Sequence, residues 1–547
     1  MPAPYSDAGM ETMIVQRADL KPGRTKAQAK VAHSSAGPRR WPQHVLVIGA
    51  GIGGVATAAR LAQSGHRVTV LEKSSGPGGR VNQFARAGFV FDTGATMFLI
   101  PRLFQQTFAD LGERVEDHLD LIRVDPSCRI QFDDGSRLDL TGDLARLQQQ
   151  LEAIEPGSFA QALRYLGEGA QTMEAGLSEF IGRDFRSALD YFSPRNLPMF
   201  FKVKAHLKHY RNVSSFFADD RLRRAFSFQN MYLGLSPFDA PATYSVLQFT
   251  ELADGVFFPR GGMLTVIDAL VEIGRRKGVR YLYNAPVRSI NVSGDRTTGV
   301  TLENGLKLGA DLVVANADLP YVYDELLPDV RPAASLKKLQ YSCSELVFLW
   351  GVDRKYDQLL QHNIFMAGDY RRSFDQVFKD LTLPDDPSFY VNVPSRGDPQ
   401  MAPPGRDGIL AMVPVGHLDE QRPQDWDALR DRARRIVFSR LGAIGMGDLA
   451  DHILFEETFG PPQYRDHLNL MKGAVFGLGY SFNQIGYLRP RNQHRRYRNL
   501  YFVGASTHPG GGLPIVLASA KLVADRIQRD FAPAARTSRT TAHAHAA

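Results

Sequence analysis

Residues 45–73 constrain the fold of this chain more than any other stretch. They open with an apolar run that predicts a buried parallel strand, continue with an Ala-rich segment that predicts a helix, and end with a second apolar strand. Gly49, Gly51 and Gly54 stand at G-x-G-x-x-G spacing between the first strand and the helix, and Glu72 follows the second strand. This order of strand, glycine turn, helix, strand and acid is typical of a βαβ unit that binds a dinucleotide.

Each part of this unit has a physical task at a dinucleotide. Gly49 permits the tight turn, the bare backbone of Gly51 lets a pyrophosphate approach, and Gly54 lets the helix pack closely on the strand. The N-terminus of the helix presents free N–H groups and a partial positive charge to the phosphates. Glu72 can accept hydrogen bonds from an adenosine ribose. The alternative is a glycine-rich connection in another kind of α/β domain.

Further glycine-rich motifs extend the pattern along the chain. G-P-G-G-R occupies 76–80, and G-F-V-F-D-T-G-A-T-M-F occupies 88–98. These two motifs resemble the flavin amine oxidase-like superfamily. F-P-R-G-G-M at 258–263 and Y-F-V-G-A-S-T-H-P-G-G-G-L-P-I-V at 501–516 are similar to carotenoid desaturases of the bacterial phytoene desaturase type, in the carotenoid/retinoid oxidoreductase family. The resemblance extends over about 45–529, nearly the whole chain.

The resemblance implies a fold of α/β plus α+β class. It combines a discontinuous Rossmann-like FAD-binding domain with an inserted substrate domain of mixed sheet and helices. The expected segments of the FAD-binding domain are 44–110, 257–320 and 485–530. Those of the substrate domain are 111–256, with a membrane-facing side, and 321–484. The remaining segments lack apolar patterning and are expected to be a disordered leader, 1–43, and a disordered tail, 531–547.

The resemblance also implies FAD as the cofactor and contacts to it from separate parts of the chain. Besides the glycines and the acid of the βαβ unit, the predicted cofactor-binding residues are Lys73, Gly79, Arg80, Thr96, Met97, Val287, Gly504, Leu513 and Pro514. Val287 is expected to touch the adenine through its backbone, and a plain core valine is the alternative.

The region 500–529 repeats the order of strand, glycine loop and helix. In the resembled family, this loop brings N–H groups to the flavin, and the helix N-terminus favours the negative charge of a reduced flavin by about 0.3–1 kcal/mol. Many relatives carry an acid after Gly504. Here Ala505 and Ser506 follow it, which would move the contact to the backbone or to Ser506. A purely structural loop that closes the sheet is the alternative.

No catalytic residue is assigned from the sequence. His508 lies in the glycine loop, where it could accept a proton or could only hold the loop before Pro509. The sequence contains no P-loop, H-E-x-x-H, CxxC or G-x-S-x-G motif, so no metal site is predicted. The cofactor then carries the reaction, and the protein supplies position and a dry site.

The function that the resemblance implies is dehydrogenation of a long isoprenoid polyene, phytoene or a related precursor, in carotenoid biosynthesis. It further implies dioxygen or a quinone as the final electron acceptor. Related alternatives are a thirty-carbon diapophytoene desaturase, a carotenoid oxygenase or ketolase, and an amine oxidase. A non-catalytic relative, similar to the GDP dissociation inhibitors of small GTPases, is the alternative from another class.

The net charge of +7 does not indicate a nucleic-acid partner. Residues 1–43 hold seven Lys and Arg against three Asp and Glu, and residues 531–547 hold two Arg and no acid. The body of the chain is therefore nearly neutral, and no nucleic-acid partner is expected. The two cysteines match no disulfide or metal spacing, so a reducing compartment and a cytoplasmic location are expected.

A polyene substrate favours contact with a membrane surface, because the free hydrocarbon partitions into the bilayer. Residues 195–217 hold five Lys and Arg and no acid, with apolar residues at helical spacing. This pattern predicts an amphipathic helix, either in a membrane interface or on the protein surface with its apolar face inward. The aromatic segments expected to line a substrate channel, if not simply packed in the core, are 192–201, 226–232 and 257–258.

Overall fold

The computed structural model describes residues 43–177, 181–183, 188–191, 194–196, 201–327 and 330–531. Nearly all of the predicted leader and tail lies outside these residues.

The strands of the described residues are named in chain order. They are β1 His44–Ile48, β2 Arg67–Leu71, β3 Gln83–Arg86, β4 Phe89–Asp92, β5 Leu121–Val124, β6 Cys128–Gln131, β7 Arg137–Leu140, β8 Val256–Pro259, β9 Arg280–Leu282, β10 Val287–Ser293, β11 Arg296–Leu302, β12 Lys307–Gly309, β13 Leu312–Ala315, β14 Ser344–Val352, β15 His362–Phe365, β16 Phe389–Asn392, β17 Asp407–Val415, β18 Ile453–Phe459 and β19 Leu500–Phe502.

The α-helices of eight or more residues are named in the same way. They are α1 Ile52–Gln63, α2 Pro101–Asp110, α3 Leu144–Ile154, α4 Ser158–Gly176, α5 Leu264–Arg276, α6 Val330–Lys337, α7 Trp426–Ala443, α8 Pro461–Leu468 and α9 Leu513–Phe531.

A parallel sheet with the strand order β19-β13-β1-β2-β9 forms the first layer. Side chains alternate between its two faces, as the pleat requires. Val45 and Val47 of β1 pack with α1, α5 and α9, whereas Leu46 and Ile48 pack under β10 and β11. The sheet therefore draws on residues 44–502 and is covered on both faces, as parallel sheets require.

A second sheet, with the order β18-β14-β17-β16-β15-β6-β7, is antiparallel except where β15 pairs with β6. One of its faces packs against α7 through Trp350 and Val437. The other faces the β3–β4 hairpin, where Phe84 and Phe91 meet Val347. This mixed sheet and its helices interrupt the parallel sheet in sequence, which confirms the predicted fold class.

Two of the sequence motifs hold each other in place. Asp92 ends β4 and lies in the F-D-T-G-A-T motif, and its carboxylate accepts from the backbone N–H of Met263 at 3.0 and 3.1 Å. Gln83 donates to Asp92 at 3.1 Å and to the carbonyl of Gly261 at 2.7 Å. A Cβ on Gly262 would lie 2.7 Å from an Asp92 oxygen, so the glycine turn before α5 admits no side chain there.

The predicted amphipathic helix over 195–217 is wrong where the structure describes it; residues 197–200 lie outside the described part. Within 203–217 the α-helix is only His209–Val213. Lys204 adopts a positive φ of 50°, and Lys208 forms a β-bridge with a distant segment. Backbone pairing with that segment replaces the helical hydrogen bonds that the spacing predicted.

In the part of the chain that the structure describes, no helix combines the length and the apolar character needed to cross a membrane.

We expect Asp92→Ala to lower the free energy of unfolding by about 1–3 kcal/mol, because the buried N–H of Met263 loses its acceptor. Asp295→Ala is the matched control, since that carboxylate is 64% exposed. Urea unfolding of both variants measures the difference. An equal loss in the two variants would contradict the assigned role of Asp92.

Candidate active site

A cavity of about 750 Å³ lies at the carboxyl ends of β1, β13 and β19 and extends toward the mixed sheet. Its volume is in the range of cofactor and ligand sites. All the predicted cofactor-binding residues except Gly54 line it. Segments that are hundreds of residues apart in the chain therefore meet at one site.

The glycine turn after β1 forms a cradle of bare backbone. Gly49 has a φ of +95°, and a Cβ on Gly51 would lie 2.9 Å from the Nδ2 atom of Asn316. Helix α1 follows with Gly51 as its N-cap and without a capping side chain, and Ile52 and Gly53 line the cavity. The first N–H groups of α1 are thus available to a phosphate, and this cradle fits a dinucleotide.

Gly54 has a different place from the other glycines. It does not line the cavity, and a Cβ on it would overlap the carbonyl oxygen of Gly49. Because Gly54 has no side chain, α1 can pack closely on the Gly49 turn, and Gly54 thereby fixes the position of the turn without lining the cavity.

Glu72 is 8% exposed and joins two loops at the cavity wall. Its Oε2 accepts from the N–H of Ala50 and its Oε1 from the N–H of Ser74, both at 2.8 Å. A carboxylate has about four acceptor positions, so lone pairs remain for ribose hydroxyls. Lys73 donates to Asn469 Oδ1 at 2.9 Å, and burial lowers the pKa of its ammonium group.

The residues of the second and third motifs face the same space. Arg80 donates to the carbonyl of Val475 at 3.1 Å, beside Gly79. The hydroxyl of Thr96 is 2.8 Å from that of Tyr390 on β16, which in turn is 2.7 Å from Nδ1 of His362. This chain of contacts connects the nucleotide-binding part of the cavity to the mixed sheet. Met97 and Val287 also line the wall.

The C-terminal glycine loop closes the cavity from the other side. Gly504, Leu513 and Pro514 line it, and α9 begins at Leu513 with its N-terminus at the wall. A Cβ on Gly511 would overlap the hydroxyl of Tyr480, which also lines the cavity. The loop therefore packs as bare backbone against an aromatic side chain.

The side chain of Ser506 does not take the place of the acid found in relatives. It lies outside the cavity wall and donates to Asp318 Oδ1 at 2.6 Å. Asp318 itself lines the cavity and also accepts from the N–H of Met471 at 3.3 Å. Burial raises the pKa of Asp318. A carboxyl group from the segment after β13 thus lies next to this loop.

His508 lines the cavity, but both of its ring nitrogens face backbone carbonyls. Nε2 is 2.9 Å from the oxygen of Arg183, and Nδ1 is 3.2 Å from that of Gly486. A proton acceptor needs a lone pair directed at its substrate. The geometry therefore favours the holding role that the sequence left open.

Asn316, Asp318 and Tyr390 were missed by the sequence analysis. Asn316 and Asp318 directly follow β13, and the carboxyl end of a parallel strand is where α/β folds bind ligands. That position was a usable signal for these two residues. Tyr390 reaches the cavity only through the packing of the mixed sheet, and no local pattern marks it.

Beyond the nucleotide-binding part, the cavity continues between apolar and aromatic side chains. Phe228, Met231 and Tyr232 line it, within the predicted segment 226–232. The prediction for 257–258 is wrong, because both residues belong to β8, where they pair with β5 and lie away from the wall. Most of 192–201 lies outside the described residues.

A family model described as flavin containing amine oxidoreductase matches residues 52–528. The chain belongs to this family. It is 44% identical to a zeta-carotene-forming phytoene desaturase of Myxococcus xanthus, over 89% of this chain and 94% of that protein. It is 33% identical to a 4,4'-diapophytoene desaturase of Staphylococcus haemolyticus, over 89% of this chain and 99% of that protein. These relatives place this family member with the carotenoid desaturases.

The fold of a solved putrescine oxidase triple mutant matches with a TM-score of 0.60 at 16% identity, over 89% of this chain and 99% of that one. Membership of this flavin-containing family gives the chain FAD as its cofactor.

We expect Glu72→Ala to raise the Kd for FAD about tenfold or more, because a hydrogen bond to a charged group contributes about 1.5–3 kcal/mol. Glu116→Ala, at a carboxylate that is 56% exposed, is the control. Fluorescence titration of the apoprotein with FAD measures both. Unchanged affinity in Glu72→Ala would count against a ribose contact.

Glu345 lines the cavity and accepts from the hydroxyl of Tyr464 at 3.0 Å. Burial raises the pKa of its carboxyl from 4.5 to about 7. The folded protein therefore keeps a proton that the unfolded chain releases, and stability falls as pH rises across that window.

Since glutamine does not titrate, we expect the Tm of Glu345→Gln to fall less than that of the wild type across the same window. Thermal unfolding at pH 4.5 and at about pH 7 measures this difference, with Glu116→Gln as the exposed control. If the Tm changes by the same amount in all three proteins between pH 4.5 and about 7, the assignment is refuted.

Proposed function

We propose that this protein is an FAD-dependent desaturase that introduces double bonds into a long isoprenoid polyene, phytoene or a related carotenoid precursor. The observation that carries the proposal is the continuity of one cavity, which joins the glycine cradle to a chamber of apolar and aromatic side chains. The curated relatives named as phytoene desaturases support the same substrate class.

The residues proposed to hold FAD are those that line the nucleotide-binding part of the cavity. Gly49, Gly51 and the start of α1 would face the pyrophosphate, and Glu72 would face the ribose. The remaining proposed contacts are Lys73, Gly79, Arg80, Thr96, Met97, Val287, Gly504, Leu513 and Pro514. Gly54 would act indirectly by shaping the turn. The domain boundaries given above are proposed with this assignment.

Desaturation removes a hydride from one carbon and a proton from its neighbour. FAD, when bound, accepts the hydride. The apolar side chains bind and orient the polyene, and each methylene that they bury contributes about 0.8 kcal/mol. Besides the ribose-facing Glu72, the buried carboxyl groups at the wall are those of Asp318 and Glu345. Asp318 accepts from Ser506 and Met471, whereas Glu345 accepts from Tyr464. The carboxylate of Glu345 therefore has more free lone pairs with which to receive a proton.

We further propose that the protein works in the cytoplasm at a membrane surface, with dioxygen or a quinone as the final electron acceptor. Leu189 and Phe201 are 86% and 61% exposed, and the exposed Lys202 directly follows Phe201 in the chain. Exposed apolar side chains beside basic ones suit peripheral contact with anionic lipids.

The alternatives differ in measurable ways. A thirty-carbon desaturase would act on diapophytoene, a carotenoid oxygenase or ketolase would add oxygen, and an amine oxidase would ignore polyenes. A non-catalytic protein similar to GDP dissociation inhibitors would take up no flavin. The bare-backbone cradle at Gly49 and Gly51 argues against that last alternative, because both glycines line the cavity in which a pyrophosphate could bind.

Expression in cells that accumulate phytoene tests the proposal, with cells that accumulate diapophytoene as the second arm. We expect phytoene to be consumed and products with a longer conjugated system to appear in pigment analysis. Gly51→Val should strongly lower this conversion, because its side chain would press on Asn316 at the cavity wall, where the pyrophosphate is proposed to lie. Gly167→Val is the matched control, since a Cβ there meets nothing within 4 Å. Conversion only of diapophytoene, or of neither, would overturn the proposed substrate.

A further inference from the structure

Arg489 is a buried cation next to the C-terminal glycine loop. Its side chain is 2% exposed and its guanidinium donates to five backbone carbonyls. The acceptors are Leu478, Gly479, Gln484, Ala505 and Thr507, at distances up to 3.2 Å. Two of these carbonyls, those of Ala505 and Thr507, belong to the loop itself. Arg489 therefore fixes the path of the loop.

The charge of Arg489 is not neutralised by a hydrogen-bonded carboxylate within this set of partners. The acid that acts on it electrostatically, Asp318, is itself buried and is held by Ser506. Arginine stays protonated in proteins, so a full positive charge lies inside the fold. Burying a charge is costly, and here the hydrogen bonds to the five carbonyls offset part of that cost.

This charge lies directly behind the cavity wall. Gly510 lines the cavity, and a Cβ on it would lie 3.9 Å from the Nε atom of Arg489. The ring of Tyr480, another residue of the wall, lies 4.2 Å from the guanidinium carbon. The helix α9, whose N-terminus is also positive, begins three residues after Gly510. Two sources of positive potential thus meet at the same part of the wall.

We propose that Arg489 is an electrostatic positioning residue that stabilises the negative charge gained by bound FAD when it takes up a hydride. A fixed charge in a dry interior acts strongly, and it needs no reorganisation during the reaction. The inference requires bound FAD but not a polyene, so it survives or fails separately from the proposed substrate.

Arg489→Met and Arg489→Lys, purified with FAD, separate the charge from the packing. Sulfite adds to oxidised flavin and leaves negative charge on the ring, so its affinity reports the local potential without any substrate. We expect Arg489→Met to raise the sulfite Kd at least about tenfold and to lower the flavin midpoint potential. Arg489→Lys should stay close to wild type in both measurements, even where FAD affinity falls because the carbonyl contacts are fewer.

Equal shifts in the two variants, or no shift in Arg489→Met, would overturn the proposal and leave Arg489 as a structural residue. If Arg489→Met does not fold, the wild-type holoenzyme supplies the test. Its chemically reduced flavin should keep the absorption spectrum of the anionic form at mildly acidic pH. A spectrum of the neutral reduced form under that condition would refute the inference.

Discussion

Parallel pairing of β1 with β13 and of β13 with β19 is the constraint on which the rest of the structure depends. This order places the carboxyl ends of three strands side by side, at residues 48, 315 and 502. The loops that follow them therefore share one edge of the sheet, where α/β folds bind nucleotides. Asn316 lies at the centre of that edge, close to the glycines of the first loop. A Cβ added to Gly504 would lie 3.8 Å from Asn316 Oδ1.

The mixed sheet supplies a further wall to the cavity that begins at this edge. Its strand β16 brings Tyr390 against Thr96, and β14 brings Glu345 to the wall. The apolar chamber that results is continuous with the cradle, which is the feature that a hydrocarbon substrate and a flavin both require. The hydrogen bond from the N–H of Met263 to Asp92 joins the end of β4 to the turn before α5.

Two buried charged side chains, Glu72 at the cavity wall and Arg489 behind it, pair with backbone. Glu72 accepts from two N–H groups, and Arg489 donates to five carbonyls. Backbone partners are rigid, so these side chains hold loops in fixed positions and keep charge in a dry space. Asp318 instead pairs with the hydroxyl of Ser506, which ties the segment after β13 to the C-terminal loop.

The sequence by itself determined the βαβ unit, the glycine positions and Glu72, because a tight turn and a close backbone approach depend on residues only a few positions apart. It also indicated the C-terminal loop through its glycines. Only the tertiary structure decided that Asp318 and Tyr390 line the cavity whereas Ser506 does not, and that Arg489 lies buried beside the C-terminal loop. It also decided that the basic stretch around Lys204 is not one helix. Those outcomes depend on strand order and on pairing between distant segments, and the spacing of residues within a short stretch of sequence specifies neither.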